Sequence, residues 1–158
     1  MSRGAAVAVA LVLLLAGVVT VRTLVVTPVR VASASMAPTL DEGDVVLVSR
    51  AAPSVTDLER GDLVVFADPR DGRRTIKRVV GLPGEEVVVL DSVLHVDGHP
   101  VDEPWVHPAS VDGYYSRTFR VPEDHVFVLG DNRDDSIDSR DYGAVAADDL
   151  RGRVLLEL

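Results

Sequence analysis

The sequence predicts an all-β domain, mostly antiparallel and barrel-like, behind one N-terminal transmembrane helix. Three observations carry that expectation. Short β-branched runs alternate with turn formers from Val45 to the C-terminus. The stretch Gly4–Val21 is free of charge over 18 residues. Outside it the one helical candidate is Ala146–Leu150, too short to stand alone.

The N-terminal stretch consists mostly of Ala, Val and Leu and is bounded by Arg3 and Arg22. At about 1.5 Å per helical residue it spans roughly 27 Å, close to the hydrocarbon thickness of a bilayer. A cleaved signal peptide is the competing reading, and Ala32-Ser33-Ala34 offers the small residues such cleavage needs. Its apolar region is typically ~7 to 15 residues, so the longer run here favours a retained anchor. Residues 1–22 are therefore assigned to a tip and anchor, and 23–158 to one domain. Arg3 stands against Arg22 and Arg30, so the positive-inside rule does not decide the orientation.

Strands are expected at Val45–Val48, Leu63–Phe66, Thr75–Val80, Val87–Leu90, Val93–Val96, Thr118–Val121, Val126–Leu129 and Val154–Leu158. Asp97-Gly98, set between Val96 and a short Pro100-Val101 segment, reads as a two-residue hairpin turn. Gly43-Asp44, Gly61-Asp62 and Gly130-Asp131 each mark a strand end. Arg60-Gly61-Asp62 spells an adhesion tripeptide, but it leads straight into a hydrophobic strand and reads as a plain turn. Glu103–Tyr115, rich in Pro, Gly and aromatic residues, is the expected long loop, with Trp105, Tyr114 and Tyr115 as its packing residues.

The formal charge is −9, and without Arg3 and Arg22 there remain 14 basic against 25 acidic residues, or −11. Such a surface argues against nucleic acid as a partner. It argues equally against electrostatic docking on anionic lipid, so contact with the bilayer would run through the apolar anchor. The absence of cysteine excludes disulfides, thiolate catalysis and cysteine-bound zinc.

Lys77 is the single lysine among 158 residues, and the other fifteen basic positions are arginine. A guanidinium stays charged, whereas an ammonium can lose its proton when desolvated. Coding bias toward arginine could also leave one surface lysine, so the surroundings must separate the two readings. In Thr75-Ile76-Lys77-Arg78-Val79-Val80, strand alternation places Lys77 on one face with Thr75 and Val79, opposite Ile76 and Arg78. Held beside apolar groups, the amine has its charged form disfavoured and becomes a candidate general base.

A base needs a nucleophile. In Ser33-Ala34-Ser35-Met36-Ala37-Pro38-Thr39-Leu40 two serines lie just before a proline that ends any strand. Ser35 is the candidate nucleophile, because a serine hydroxyl attacks only when a base takes its proton. Ser33 would project to the same side in an extended segment, where its hydroxyl could join the Ser35 backbone amide in an oxyanion hole. A strand ending in a turn would explain the same residues. A third segment, Gly130 to Gly143, is dense in charge and turn formers and alone reads as an exposed acidic loop.

Taken together, the three segments resemble the signature boxes of the type I signal peptidases, membrane-bound Ser/Lys endopeptidases that remove signal peptides from exported proteins. Ser35–Leu40 resembles the serine box and Lys77-Arg78-Val79-Val80-Gly81-Leu82-Pro83-Gly84-Glu85 the lysine box. Gly130-Asp131-Asn132-Arg133 with Ser136, Asp138, Ser139 and Arg140 resembles the last box. The resemblance implies Ser35 as nucleophile and Lys77 as base, with the Ser33 hydroxyl in the oxyanion hole and Ser136 orienting the lysine amine. It implies further that Asp138 and Arg140 support the site and that Arg78 pairs with Asp131 beneath it. No metal and no cofactor is implied.

Two features depart from the family pattern. Ala32 stands where a proline is usual, and only 48 residues, Leu82 to Leu129, separate the last two boxes. The inserted β-subdomain, about 82–125, is thus expected to be a hairpin or two. His95, His99, His107 and His125 all fall in that region or at its exit, outside the boxes, which sets a Ser/His/Asp triad aside.

The implied substrates are signal peptides of exported preproteins, extended, with small residues such as Ala at the first and third positions before the cut. Ser35 lies 13 positions after Arg22, at most ~45 Å of chain, which tethers the site near the bilayer surface. That function sets the topology: a single-pass plasma-membrane protein with the domain on the extracytoplasmic side. The Ala-, Val-, Arg- and Asp-rich composition suggests a GC-rich bacterial source. Self-cleaving Ser/Lys repressors share the chemistry, but they need a cleavable Ala-Gly or Cys-Gly bond, and the one candidate, Ala16-Gly17, lies inside the expected anchor. A non-catalytic β module binding through its acidic loop is the remaining rival, and it would make Ser35 and Lys77 dispensable.

Overall fold

The computed structural model describes residues 4, 7, 10–14, 17, 25–107 and 117–157. Eleven strands lie within these: β1 Val26–Arg30, β2 Val45–Ser49, β3 Leu63–Ala67, β4 Arg74–Gly81, β5 Glu86–Leu90, β6 Val93–Val96, β7 His99–Pro100, β8 Phe119–Arg120, β9 His125–Leu129, β10 Val145–Ala146 and β11 Leu150–Glu157. A seven-stranded sheet has the order β1-β2-β11-β3-β4-β9-β10, and a four-stranded sheet the order β7-β6-β5-β8. The strand pairs are antiparallel throughout. Strands β1 and β4 are separated by three others in the larger sheet, yet both line one cleft, so that sheet curls like part of a barrel.

The central strands are buried on both faces, which is why they read as unbroken apolar runs. In β3, Val64 and Phe66 enter a core with Val79, Val126, Val128 and Leu150, while Leu63 and Val65 enter another with Val31, Met36, Leu40, Val46 and Val48. In β9 the alternate residues Phe127 and Leu129 join Val80, Val87, Leu94 and Val121 in a third core. The smaller sheet is therefore fastened to β4 and β9 by shared apolar burial, at roughly 1.5–3 kcal/mol for each large side chain removed from water.

Several boundaries differ from those expected. Strand β1 goes unnoticed in the sequence because Pro28 interrupts it; as an edge strand it tolerates a residue without an N–H. Strand β11 begins at Leu150 rather than Val154, with Gly152 where any Cβ would lie 2.3 Å from the Ser49 carbonyl oxygen. The helical candidate Ala146–Leu150 contains only a 3₁₀ turn, Ala147–Asp149. The turn of α-helix among the described residues of the domain is instead α1, Ser139–Tyr142, closed by a capping box between Asp138 and Asp141. The inserted region forms a three-stranded meander, β5-β6-β7, with β8 on its far side. Asp97 and Gly98 have φ of 49° and 76°, as the hairpin turn requires.

The anchor expected at Gly4–Val21 lies largely outside the described residues, as do Tyr114 and Tyr115. Gly4, Val7, Ala10–Leu14 and Gly17 are helical and exposed. Among the described residues no helix is long and apolar enough to cross a membrane.

Gly81 sits at the register shift between β4 and β9, where an added Cβ would meet Val87 Cγ2 at 2.6 Å and Phe127 Cβ at 2.8 Å. Gly81→Ala is expected to lower the unfolding free energy by about 1–3 kcal/mol, the usual cost of overfilling a core. Chemical denaturation of the variant beside the parent chain checks this.

Candidate active site

Ser35 occupies the middle of a 3₁₀ turn, Ala34–Met36. The turn holds because Met36 is buried in the core beneath it and the Ala37 N–H donates to the Ala34 carbonyl at 3.0 Å. Asn132 clamps it from across the fold: its backbone N–H donates to the Ser35 carbonyl (3.2 Å) and its side-chain amide to the Ala34 carbonyl (3.1 Å). Near the start of the turn, the Ser35 N–H belongs to the amide groups that a helical turn leaves without an internal acceptor.

Lys77 reaches the same place from β4. The residue is 2 % exposed and its Nζ lies 2.6 Å from Ser35 Oγ. Burial pulls the Lys77 pKa down to about 8; Asp138, Asp131 and Asp68 oppose that shift, and Arg140 reinforces it. Ser33 Oγ, on an extended residue at the entrance to the turn, donates to Ser35 Oγ at 3.3 Å.

Three Asp–Arg pairs surround this contact. Arg78 holds Asp131 through Nε to Oδ1 (2.8 Å) and Nη2 to Oδ2 (2.6 Å), and its remaining donors go to the Gly61 carbonyl and Thr39 Oγ1. The Trp105 ring lies over the same guanidinium at 4.4 Å, which keeps water from it. Arg140 grips Asp138 through Nε to Oδ1 (2.8 Å) and Nη2 to Oδ2 (2.9 Å). Arg70 grips buried Asp68 in the same forked manner, and these hydrogen bonds hold the Asp68 carboxyl below its ordinary range.

Ser136 differs from the resemblance. Its hydroxyl donates to Asp138 Oδ2 at 2.8 Å, and among the described residues no hydrogen bond joins it to Lys77. An ionised carboxylate two residues away is the stronger acceptor. Ser136 still lines, with Ser33, Ser35, Thr75 and Lys77, a cleft of about 360 Å³. Ser35, Lys77, Ser33, Ser136, Asp138, Arg140, Arg78 and Asp131 are thus brought to one locality, with Arg78 and Asp131 beneath the cleft.

Sequence reasoning passed over several contributors. Asn132 lay in the third segment without a role. Gly130 is needed for space, since a Cβ there would lie 2.5 Å from both the Ser35 carbonyl oxygen and Ser136 Cβ. Buried Arg133 donates to the Gly130 carbonyl and to Glu103 Oε1, tying the third segment to the long loop. Asp68-x-Arg70 offered no signal beyond two charges after an apolar strand. His95, His99 and His125 bond to Val93, Asp97 and Asp124 respectively. No group of three His, Asp or Glu placed to hold a metal ion occurs among the described residues.

Residues 4–158 match the family described as signal peptidase, peptidase S26. The chain belongs to that family. It is 36 % identical over 143 residues to a probable signal peptidase I-2 of Synechocystis, covering 86 % of this chain and 64 % of that one. It is 35 % identical over 150 residues to a signal peptidase I of Bacillus caldolyticus, covering 87 % and 81 %. A signal peptidase I crystal structure from Enterococcus faecalis superposes with a TM-score of 0.55 at 35 % identity, covering 63 % of this chain and 97 % of that one.

The lowered pKa of Lys77 also bears on stability. Below about 8 the amine is charged in both folded and unfolded chains and the folded state bears the full cost of burying it; as pH rises toward the ordinary 10.5 that cost disappears. Lys77→Met is expected to be the more stable chain at pH 7, by up to about 3 kcal/mol at 1.36 kcal/mol per pKa unit. The difference should shrink between pH 8 and 10.5, as followed by denaturant unfolding across that range.

Proposed function

We propose that this signal peptidase family member is a membrane-anchored endopeptidase that cuts signal peptides from exported preproteins, with Ser35 as nucleophile and Lys77 as general base. The observation that carries the proposal is the 2.6 Å contact between Lys77 Nζ and Ser35 Oγ inside a setting that keeps the amine largely out of water. The kinship adds to it, since the relatives matched above are signal peptidases by name.

In this reading neutral Lys77 Nζ accepts the Ser35 hydroxyl proton as Oγ forms a bond to the scissile carbonyl carbon. The oxyanion faces the Ser35 N–H, joined by the Ser33 hydroxyl once it swings from Ser35 Oγ to the new acceptor. The Lys77 ammonium passes its proton to the departing amine as the C–N bond breaks. Water then enters and gives a proton to Lys77 as its oxygen bonds to the acyl carbon, and the ammonium returns that proton to Ser35 Oγ as the ester bond breaks. Asp138 and Arg140 fix the third segment behind the cleft, and Ser136 acts through its hydrogen bond to Asp138.

The substrate would lie extended. The first half of β4 has an open edge, because β9 pairs with it only from Arg78 onward, and β1 is itself an edge strand. These edges line a cleft of about 510 Å³ with Ser33, Ser35, Met36 and Ile76, which suits strand addition with small side chains pointing inward. Residues Gly4–Val21 supply the single span, with the domain on the extracytoplasmic side of the plasma membrane.

The test is cleavage of a preprotein carrying an Ala-x-Ala site by the detergent-solubilised chain. The parent should cut after the second Ala, and Ser35→Ala and Lys77→Met should fold yet lose at least 1,000-fold in kcat/KM, about 4 kcal/mol of transition-state stabilisation. The parent's kcat/KM should rise tenfold per pH unit below about 8 and level above it, as the amine loses its proton. Full activity in Lys77→Met would place the base elsewhere and defeat the proposal.

A further inference from the structure

The larger cleft continues past the Ser35–Lys77 pair to two cations that the peptidase chemistry does not use. Arg30, at the end of β1, and Arg74, at the start of β4, both line it. Both are exposed, and neither has a carboxylate within ion-pair distance among the described residues. The Asp44 carboxylate accepts through Oδ2 from the Asp41 N–H at 2.8 Å. The smaller cleft of about 360 Å³, which shares Ser33, Ser35 and Thr75 with the larger, is lined instead by Asp68, Asp134 and Asp135 beside Arg70 and Lys77. In a chain of net charge −9, the two clefts that meet at the reacting serine thus differ: the larger has two arginines and no acidic residue in its lining, the smaller three aspartates beside Arg70 and Lys77.

The chain's own connectivity assigns these sides, given the peptidase reading on which this inference rests. Only residues 22–25 lie between the apolar stretch Gly4–Val21 and strand β1. A signal peptide whose apolar segment shares the bilayer with that stretch enters the cleft along β1, so residues before the cut pass Arg30 and Arg74. Lys77 and Arg74 are three residues apart on β4, about 10 Å at ~3.3 Å per residue. Counted from the residue before the cut, opposite Lys77, a substrate residue level with Arg74 is therefore the fourth, and the fifth lies one position, ~3.3 Å, beyond it.

We propose that Arg30 and Arg74 form a specificity site for an acidic side chain at the fourth or fifth residue before the scissile bond. Exposed guanidiniums facing a carboxylate discriminate modestly, by roughly three- to tenfold against a lysine at the same place. The preference weakens in high salt, because the site is open to solvent and screened.

The experiment compares three preprotein peptides that differ only at the fourth residue before an Ala-x-Ala site, carrying Glu, Gln or Lys, with a second set varied at the fifth. The full chain in detergent micelles is expected to cleave all three, with the Glu:Lys ratio of kcat/KM at roughly 3 to 10 in at least one set and falling toward one in 1 M NaCl. Arg30→Glu/Arg74→Glu should invert the ratio, and Arg30→Gln/Arg74→Gln should bring it to about one. Cleavage of the Gln peptide with no Glu preference at either position, or an unchanged ratio in the double variants, overturns the specificity site while leaving the peptidase intact. Failure to cleave even the Gln peptide overturns the peptidase reading and this inference with it.

Discussion

A primary amine held out of water and against a hydroxyl is the constraint on which the rest of this structure depends. Burying Lys77 brings its pKa to about 8, but burial alone would be undone by a nearby bare carboxylate, which would hold the ammonium charged. Three aspartates lie close enough to act in that way, and each has an arginine of its own: Asp131 with Arg78, Asp138 with Arg140, and Asp68 with Arg70. The acidic groups thus keep their structural use as hydrogen-bond acceptors, Arg140 offsets part of their pull on the amine, and burial outweighs the remainder. Arginine suits that task because it does not titrate and its fork matches a carboxylate.

The same pairs connect the electrostatics to the fold. Asp138 accepts from Gly130 N, Ser136 Oγ and Arg140 while capping α1, so one carboxylate sets the path of the whole third segment. Asn132, placed by that path, fastens the turn that carries Ser35. Arg78 follows Lys77 on β4 and points to the other face, where it joins Asp131, Gly61, Thr39 and Trp105. Removing one partner from such a buried pair leaves an uncompensated charge, which is more damaging than replacing both. The long loop after β7 contributes through Glu103, whose ion pair with buried Arg133 steadies the segment from outside.

Much of this is legible in the sequence because the relevant signals are local. Alternation on β4 puts Lys77 and Arg78 on opposite faces, and the apolar runs of β3 and β9 announce strands buried on both sides. A unique lysine among arginines is itself a chemical statement. What escapes is what depends on partners distant in the chain. Nothing near Gly152 reveals the Ser49 carbonyl that excludes a side chain, and nothing near Gly130 reveals Ser35. Strand β1, interrupted by Pro28, becomes a strand only because β2 is there to pair with it. Helix α1 is four polar residues whose one local signal is the Asp138-x-x-Asp141 spacing. The partner of Ser136 is decided by which acceptor is nearest and charged, a question of position rather than motif.

The use of Lys77 as a base requires that it lose its proton near pH 8 rather than near 10.5, and the composition makes that directly measurable. With a single lysine in 158 residues, biosynthetic incorporation of lysine labelled with ¹³C at Cε gives one resonance whose chemical shift follows the ionisation of Nζ. The structure predicts a titration midpoint about two units or more below the ordinary value, near 8, in the folded chain, and a return to about 10.5 on unfolding. A midpoint near 10.5 in the folded chain would refute this, because the amine would then be charged wherever Ser35 needs a base.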